Sequence, residues 1–297
     1  MRLLYTGAAA LTCVLGWLAW QNGAAISFRG AAPSSLPNPE DGKVADGNYA
    51  SGYFGLVYRS PQNWTAGEPG PDPSQSGYYV LAELIPQSES DGTILIAAQD
   101  KFFGTNTRGS AADIAHDFRW AVSNIDGMTI NRELTEIKIA DHLLYRVDYS
   151  GVGLYRAAIS TESRCHILSF NMTTRDPSLL QTLVHSLDSV SFAARGEGGS
   201  APPPCIPDYA AGDNVLHKVA PISAGPKFTS IPVRIIVGAD GNVTHVHVIR
   251  ATAEQRRSIE EALYQWRLKP YEIDGHPSPV ETGLIFKFTG GSTAQAP

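Results

Sequence analysis

The chain has 297 residues, a length that suits two domains, and its formal net charge is −6 at neutral pH. Apolar residues make up 43% and charged residues 18%, ordinary globular material from which a core can be built. With acid in excess no basic field exists to hold a phosphate backbone, which disfavours nucleic-acid binding.

Arg2 precedes an uncharged apolar run over residues 3–20, close to the ~20 residues that a bilayer span requires. A cationic start and an apolar stretch read as a secretory signal or a signal-anchor. Residues 21–25 (QNGAA) offer a small-residue cleavage site, whereas the length of the run favours retention. Thr12 before Cys13 fits a lipoprotein signal poorly. Either way the remainder is exported, and a retained anchor in the inner membrane would place it in the periplasm. Residues 26–48 are rich in Ala, Ser, Pro and Gly without a period and read as a flexible spacer.

Strands are expected over 53–58, 78–85 and 93–98, then a helix over 110–125 that starts at Ser110 with Asp113 and carries Ile114, Phe118, Ala121, Val122 and Ile125 on one face. Four strand-like runs follow, around 134–139, 143–149, 154–160 and 167–172. Asp176-Pro177 opens a last helix whose face is Leu179, Leu180, Leu183, Val184 and Leu187. The stretch 193-AARGEGGSAPPP-204 breaks the chain. It separates a domain over 49–192, an antiparallel sheet with two helices, from one over 205–289; residues 290–297 read as a disordered tail. The expected class is α+β.

The C-terminal unit is regular. A strand over 233–237 meets a hairpin turn at Asp240-Gly241, and 243–249 returns. Thr252 with Gln255 forms a capping box for a helix whose face is Ile259, Ala262, Leu263 and Trp266. Pro270 stops that helix at Lys269. A turn at 274–277 leads to a closing strand over 279–288, which gives a three-stranded sheet covered by one helix.

These features resemble the C-terminal domain of TonB-type energy transducers. The carrying residues are Asp240-Gly241, the valine-rich 243-VTHV-246, 266-WRLKP-270 and 274-DGHP-277, with Leu268 where that family usually has an aromatic. The resemblance covers about residues 205–288. It implies a periplasmic protein whose sheet edge takes an extended peptide from an outer-membrane transporter by strand addition, or pairs with itself as a homodimer. The expected contact is the last strand: Val280, Glu281, Thr282, Gly283, Leu284, Ile285 and Phe286. It also implies contact with inner-membrane motor proteins and energy-dependent transport. Residues 3–20, however, lack the histidine such anchors carry, and no long Pro-rich rod follows. A structural or sensory interaction protein without proton-motive coupling is the alternative. The domain over 49–192 is similar, more faintly, to the α/β/α sandwich of PsbP proteins and related lipoproteins.

Catalytic chemistry finds little footing. No G-x-S-x-G, Walker-type, H-E-x-x-H or G-x-G-x-x-G motif occurs, and no enzyme activity, cofactor or metal is expected. His245 and His247 point the same way on a strand and read as an exposed polar face rather than a metal site. Cys165 and His166 point to opposite faces and cannot act as a nucleophile–base pair. Asp113, His116 and Asp117 read as a solvated helix face. Trp64, Trp120, Tyr78 and Tyr79 could line a groove, but ordinary core and rim positions explain them as well. Cys165 and Cys205 are the two cysteines outside the apolar start. In an oxidising compartment they are expected to pair, with two separate buried thiols as the alternative.

Overall fold

The structure is a computed structural model that describes residues 36–88, 91–104, 109–139, 141–192, 202–222 and 228–288, and the backbone of 294–295. The apolar run 3–20 with Cys13, residues 193–201 of the inter-domain stretch, and the rest of the tail lie outside the described residues. Among the described residues no helix is long and apolar enough to cross a membrane. The fold is α+β, with antiparallel sheets and, among the described residues, three α-helices. The described residues belong to one compact unit, Ser35–Pro297, which holds two hydrophobic cores.

The first half of the chain forms β1 (Lys43–Ala45), β2 (Asn48–Ser51), β3 (Leu56–Arg59), β4 (Trp64–Ala66), β5 (Tyr78–Pro86), β6 (Thr93–Asp100), α1 (Ala111–Ser123), β7 (Thr129–Ile139), β8 (His142–Gly151), β9 (Leu154–Ser163), β10 (His166–Thr174), α2 (Pro177–His185) and β11 (Ser191–Phe192), and all of these but α1 contribute to the first core. Seven strands form one sheet in the order β4-β5-β6-β10-β9-β8-β7, and β1-β2-β3-β11 form a small second sheet. Regular structure therefore begins within the stretch read as spacer: Lys43 pairs with Ala50 and Val44 with Tyr49. The turn between these strands, with Asp46 and Gly47 both at positive φ, is the local signal for this hairpin.

Successive residues of a strand face opposite sides of a sheet. On β8, Arg146 reaches Gln181 of α2 while Tyr149 meets Phe118 of α1. The two helices therefore cover opposite faces. Helix α1 starts as expected, with Ser110 Oγ accepting from the Asp113 N–H, but its buried residues are Ala111, Ala115 and Val122. Ile125 lies beyond the helix and is exposed.

The elements around the second core are β12 (Val215–His217), β13 (Ser230–Val237), β14 (Val243–Val248), α3 (Ala253–Leu263), β15 (Arg267–Leu268), β16 (Tyr271–Ile273), β17 (His276–Ser278) and β18 (Val280–Phe288), followed by the strand β19 (Ala294–Gln295). The main sheet here runs β14-β13-β18-β19, so the three-stranded sheet gains a fourth strand from the tail, where Lys287 pairs with Gln295. Thr252 and Gln255 exchange hydrogen bonds at the start of α3. The helix ends at Leu263, earlier than Lys269, because Arg267 and Leu268 pair with β12 and the Leu268 N–H donates to the Gly241 carbonyl. Gly241 has φ +80°, and a Cβ there would collide with the Leu268 carbonyl, so the Asp240-Gly241 turn doubles as a docking point.

Trp266 follows the helix instead of ending it, yet it is fully buried beside Phe286, and its indole N–H donates to the Val219 carbonyl at 2.8 Å. Truncation would leave a cavity and an orphaned carbonyl. Trp266→Ala should lower unfolding free energy by about 3–5 kcal/mol, read as a shift of the urea midpoint of the whole chain; an unchanged midpoint would show that the indole holds nothing together.

Candidate functional site

The strands of the small sheet alternate between two buried faces. Ile231, Val233, Ile235 and Val237 of β13 belong to the core that includes Ile259 and Leu263 of α3. The other positions, including Arg234 and His247, face the first half of the chain. There the cross-strand row is His247, Arg234 and Gly283. The expectation that His245 and His247 form an exposed face is thus corrected for His247. It is buried, stacked near Tyr79, and 2.9 Å from Glu40 through Nε2. A second sheet lies over that face, which alternation alone could not reveal. Burial alone would raise the Glu40 carboxyl, but its hydrogen bond and charge contact with His247 hold it below the usual range.

At the centre lies a buried ion cluster. Arg234 is 2% exposed. Its Nη1 donates to Asp100 Oδ2 at 2.5 Å, and its Nη2 to Glu281 Oε1 at 2.8 Å. The Phe102 N–H donates to Asp100 Oδ1 at 2.7 Å, and the Tyr53 hydroxyl to Glu281 Oε1 at 3.3 Å. Burial works against the Arg234 charge, yet Asp100 and the other acidic neighbours hold the guanidinium well above its usual range. Burial pushes the Asp100 carboxyl up, and Arg234 pulls it back. Arg234 also lies over the Phe102 ring, 4.8 Å from its centroid. Phe102 occupies the space a side chain at 283 would take, for a Cβ on Gly283 would lie 2.6 Å from the Phe102 Cβ. Glycine at 283 is therefore required by packing.

His166 sits beside this cluster. Its Nδ1 is 2.6 Å from the Arg164 carbonyl, so Nδ1 carries the proton and Nε2 presents a lone pair. That Nε2 has no hydrogen-bond partner among the described residues and lies 3.7 Å from Asp100 Oδ2. Burial, then the charge of Arg234, pushes the imidazole well below its ordinary range.

The edges of the small sheet meet different fates. On β14, Val248 offers its carbonyl to Arg256 of α3, so side chains from the helix block that side. On β18 the odd positions direct N–H and C=O away from β13. The Glu281 N–H donates to the Pro204 carbonyl, and its carbonyl accepts from the Ile206 N–H, both at 3.0 Å. At the far end β19 covers Lys287 and Phe288. Gly283 and Ile285 lie between, and among the described residues nothing pairs with their outward main-chain groups. A cleft of about 330 Å³ opens at Gly283, lined by Lys101, Phe102, Glu162, Cys205, Pro207 and Asp208.

Of the seven residues expected at a partner-binding edge, Val280, Thr282, Leu284 and Phe286 turn their side chains into the core, and Glu281 is committed to Arg234 and residues 204–206. Among the described residues, Gly283 and Ile285 keep an open edge. Cys165 and Cys205 form a disulfide with Cα atoms 5.7 Å apart. Trp64 and Tyr79 are core residues, while Trp120 is 66% exposed on α1. Asp113 serves the α1 cap. Among the described residues no group of three or more His, Cys, Asp or Glu could hold a metal ion. Asp100 and Arg234 carry no mark in the sequence, and His166 is weighed there only as a partner of Cys165; an arginine within an apolar strand, 231-IPVRIIV-237, is the available signal.

Arg234→Met should strand two buried carboxylates and lower stability by about 3–5 kcal/mol. Adding Asp100→Asn and Glu281→Gln should recover most of that loss in urea titrations; a triple variant no better than the single one would contradict the pairing. The neutral His166 makes a second prediction. Its folded pKa is depressed, so below the unfolded value of about 6.5 only the unfolded chain takes up the proton, and stability falls as pH drops from there, by up to about 1.4 kcal/mol per pH unit. His142, also lowered by burial, adds a smaller contribution of the same sign. Urea midpoints at pH 7.5 and 5.5 should differ, and His166→Gln should shrink the difference; equal midpoints for the parent chain would refute the assignment.

No family model matches the chain, and no curated protein matches it. Solved structures give low-level likenesses. Cyanobacterial PsbP (CyanoP) from Synechocystis is 16% identical, covering 49% of this chain and 91% of its own at a TM-score of 0.35. PA94 from Pseudomonas aeruginosa, described as a protein of unknown function and putative regulator, is 16% identical over 43% of this chain and 95% of its own, TM-score 0.30. LpqN, involved in cell envelope biogenesis of Mycobacterium tuberculosis, is 12% identical over 45% and 78%, TM-score 0.31. At these TM-scores the likenesses carry nothing about activity.

Proposed function

We propose that this chain is an exported, non-catalytic binding protein whose small sheet accepts an extended peptide at the outer edge of β18. The observation that carries this reading is the open main chain of Gly283 and Ile285 beside the cleft, on a sheet whose opposite edge is blocked by α3. Main-chain hydrogen bonds supply the affinity in strand addition, and flanking pockets select side chains. Support also comes from the sequence resemblance of residues 205–288 to TonB-type receptor domains, whose partners are the N-terminal segments of outer-membrane transporters. The proposed location is the periplasm, with residues 3–20 as an inner-membrane anchor. The cysteine pairing fits an oxidising compartment. Residues 3–20 contain neither histidine nor charge, which favours a binding role without proton-motive coupling.

The β19 segment stands where an incoming strand would continue the edge. A peptide would pair first at Gly283 and Ile285 and then displace β19 from Lys287. Self-pairing of two copies along β18 would use the same groups.

The experiment titrates fluorescein-labelled nonapeptides, copied from N-terminal segments of outer-membrane transporters, into the full chain and reads anisotropy. Ile285→Pro removes one outward N–H and should weaken binding roughly tenfold, about the worth of one hydrogen bond. Ile285→Val keeps the donor and should bind as the parent does. Circular dichroism checks that the proline variant is folded. A folded proline variant with parental affinity, or the absence of binding by every peptide, would overturn the reading.

A further inference from the structure

We propose that Cys205 is a thiol–disulfide exchange site, and that its bond to Cys165 latches part of the acceptor edge shut; the regulatory consequence rests on the binding reading above. The two cysteines sit in unlike surroundings. Cys165 is 2% exposed, whereas Cys205 is exposed and lines the cleft at Gly283. Cys165 is also held rigidly. It shares a two-residue hairpin turn with Arg164, and both have positive φ, 45° and 61°, a conformation that favours glycine and asparagine. The turn persists because Arg164 donates to the Tyr53 carbonyl at 2.7 Å, stacks over the Tyr53 ring, and offers its own carbonyl to His166.

Apart from the disulfide, the Cys205 side is held by few main-chain bonds and by Ile206, half-buried against the second core. Residues 202–207 read PPPCIP, so four of six positions have no N–H to give. The parallel contact with β18 consists of the two bonds between Glu281 and residues 204 and 206. Downstream, Tyr209 is anchored by its hydroxyl on the Lys269 carbonyl and its N–H on Thr282 Oγ1, so release would be confined to the few residues around Cys205. The disulfide thus sets the local concentration of this strap at the edge. Without it, Glu281 would join Gly283 and Ile285 as an open position, and the free edge would grow from two alternate residues to three.

The chemistry requires a dithiol reductant. One thiolate of the dithiol attacks the sulfur of Cys205, the more exposed of the two residues, a mixed disulfide forms, and the Cys165 sulfur leaves and takes a proton. The second thiol of the reductant then closes on the mixed disulfide and expels Cys205. The products are two protein thiols and one cyclic disulfide, with two electrons and two protons moved from reductant to protein. Glu281 Oε2 lies 3.7 Å from the Cys165 sulfur, placed to accept the new S–H.

Amide hydrogen exchange on the full chain tests this without any ligand. In chain treated with dithiothreitol, and in Cys205→Ser without reductant, the Glu281 amide should exchange at least tenfold faster than in the oxidised parent. Thr282 and Leu284, whose amides face β13, should keep their protection. Unchanged exchange at Glu281 in both samples overturns the proposal, as does a uniform rise along β18, which would signal unfolding. The peptide titration separates the two readings. Tighter binding by Cys205→Ser supports the latch. Equal binding by the oxidised and Cys205→Ser chains overturns its regulatory role. Selective release of Glu281 with no peptide binding by either chain supports the latch and removes the binding reading instead.

Discussion

The charge on Arg234 is the constraint around which the two halves of this molecule are arranged. A guanidinium on the middle strand of a small sheet, shut away from water, is tolerable only if carboxylates meet it with good geometry. Glu281 comes from the neighbouring strand of its own sheet, and Asp100 from the end of β6 in the large sheet. Neither sheet alone completes the site. The docking of one on the other is thereby specified in register and orientation, since a shift of a single strand position would leave at least one charge buried and unmatched.

Around that pairing the neighbours become intelligible. Gly283 is bare so that Phe102 can lie under the guanidinium. Tyr53 and Phe54, in the connection between β2 and β3, both pack edge-on against His166, which ties the small β1-β2-β3-β11 sheet to the same junction. His247 is drawn into burial and answered by Glu40 from the first residues of the fold. A face that would be the exposed side of an isolated sheet has become an interior, which leaves only the sheet's edges open to strand pairing.

Those edges are treated unequally. A helix that already covers one face extends Arg256 over the rim of β14. The rim of β18 is covered at one end by a proline-rich strap, which packs Ile206 on the second core, and at the other by a tail strand. Edge strands left open invite uncontrolled pairing. Covering one with short segments shields part of its main chain. The disulfide joins the strap to the turn between β9 and β10 of the large sheet.

The sequence alone determined the local grammar: the period-two strands over 233–237 and 279–288, the Asp240-Gly241 and Asp274-Gly275 turns, the Thr252–Gln255 box, and the burial of Trp266. Each depends on residues a few positions apart, and such rules act before any tertiary contact exists. It also marked the two cysteines available to pair. The early start of the fold at Lys43, the strand character of Arg267 and Leu268, and the fourth strand from the tail were decided by partners far along the chain. So was the candidate site. Arg234 and Asp100 are 134 residues apart, and Tyr53 and Glu281 are 228 apart. Alternation predicts that a strand has two faces, but the identity of what covers the second face depends on how whole surfaces fit, and no local pattern encodes that. The open edge at Gly283 and Ile285 was settled the same way, by where the strap and the tail come to rest once both sheets are joined.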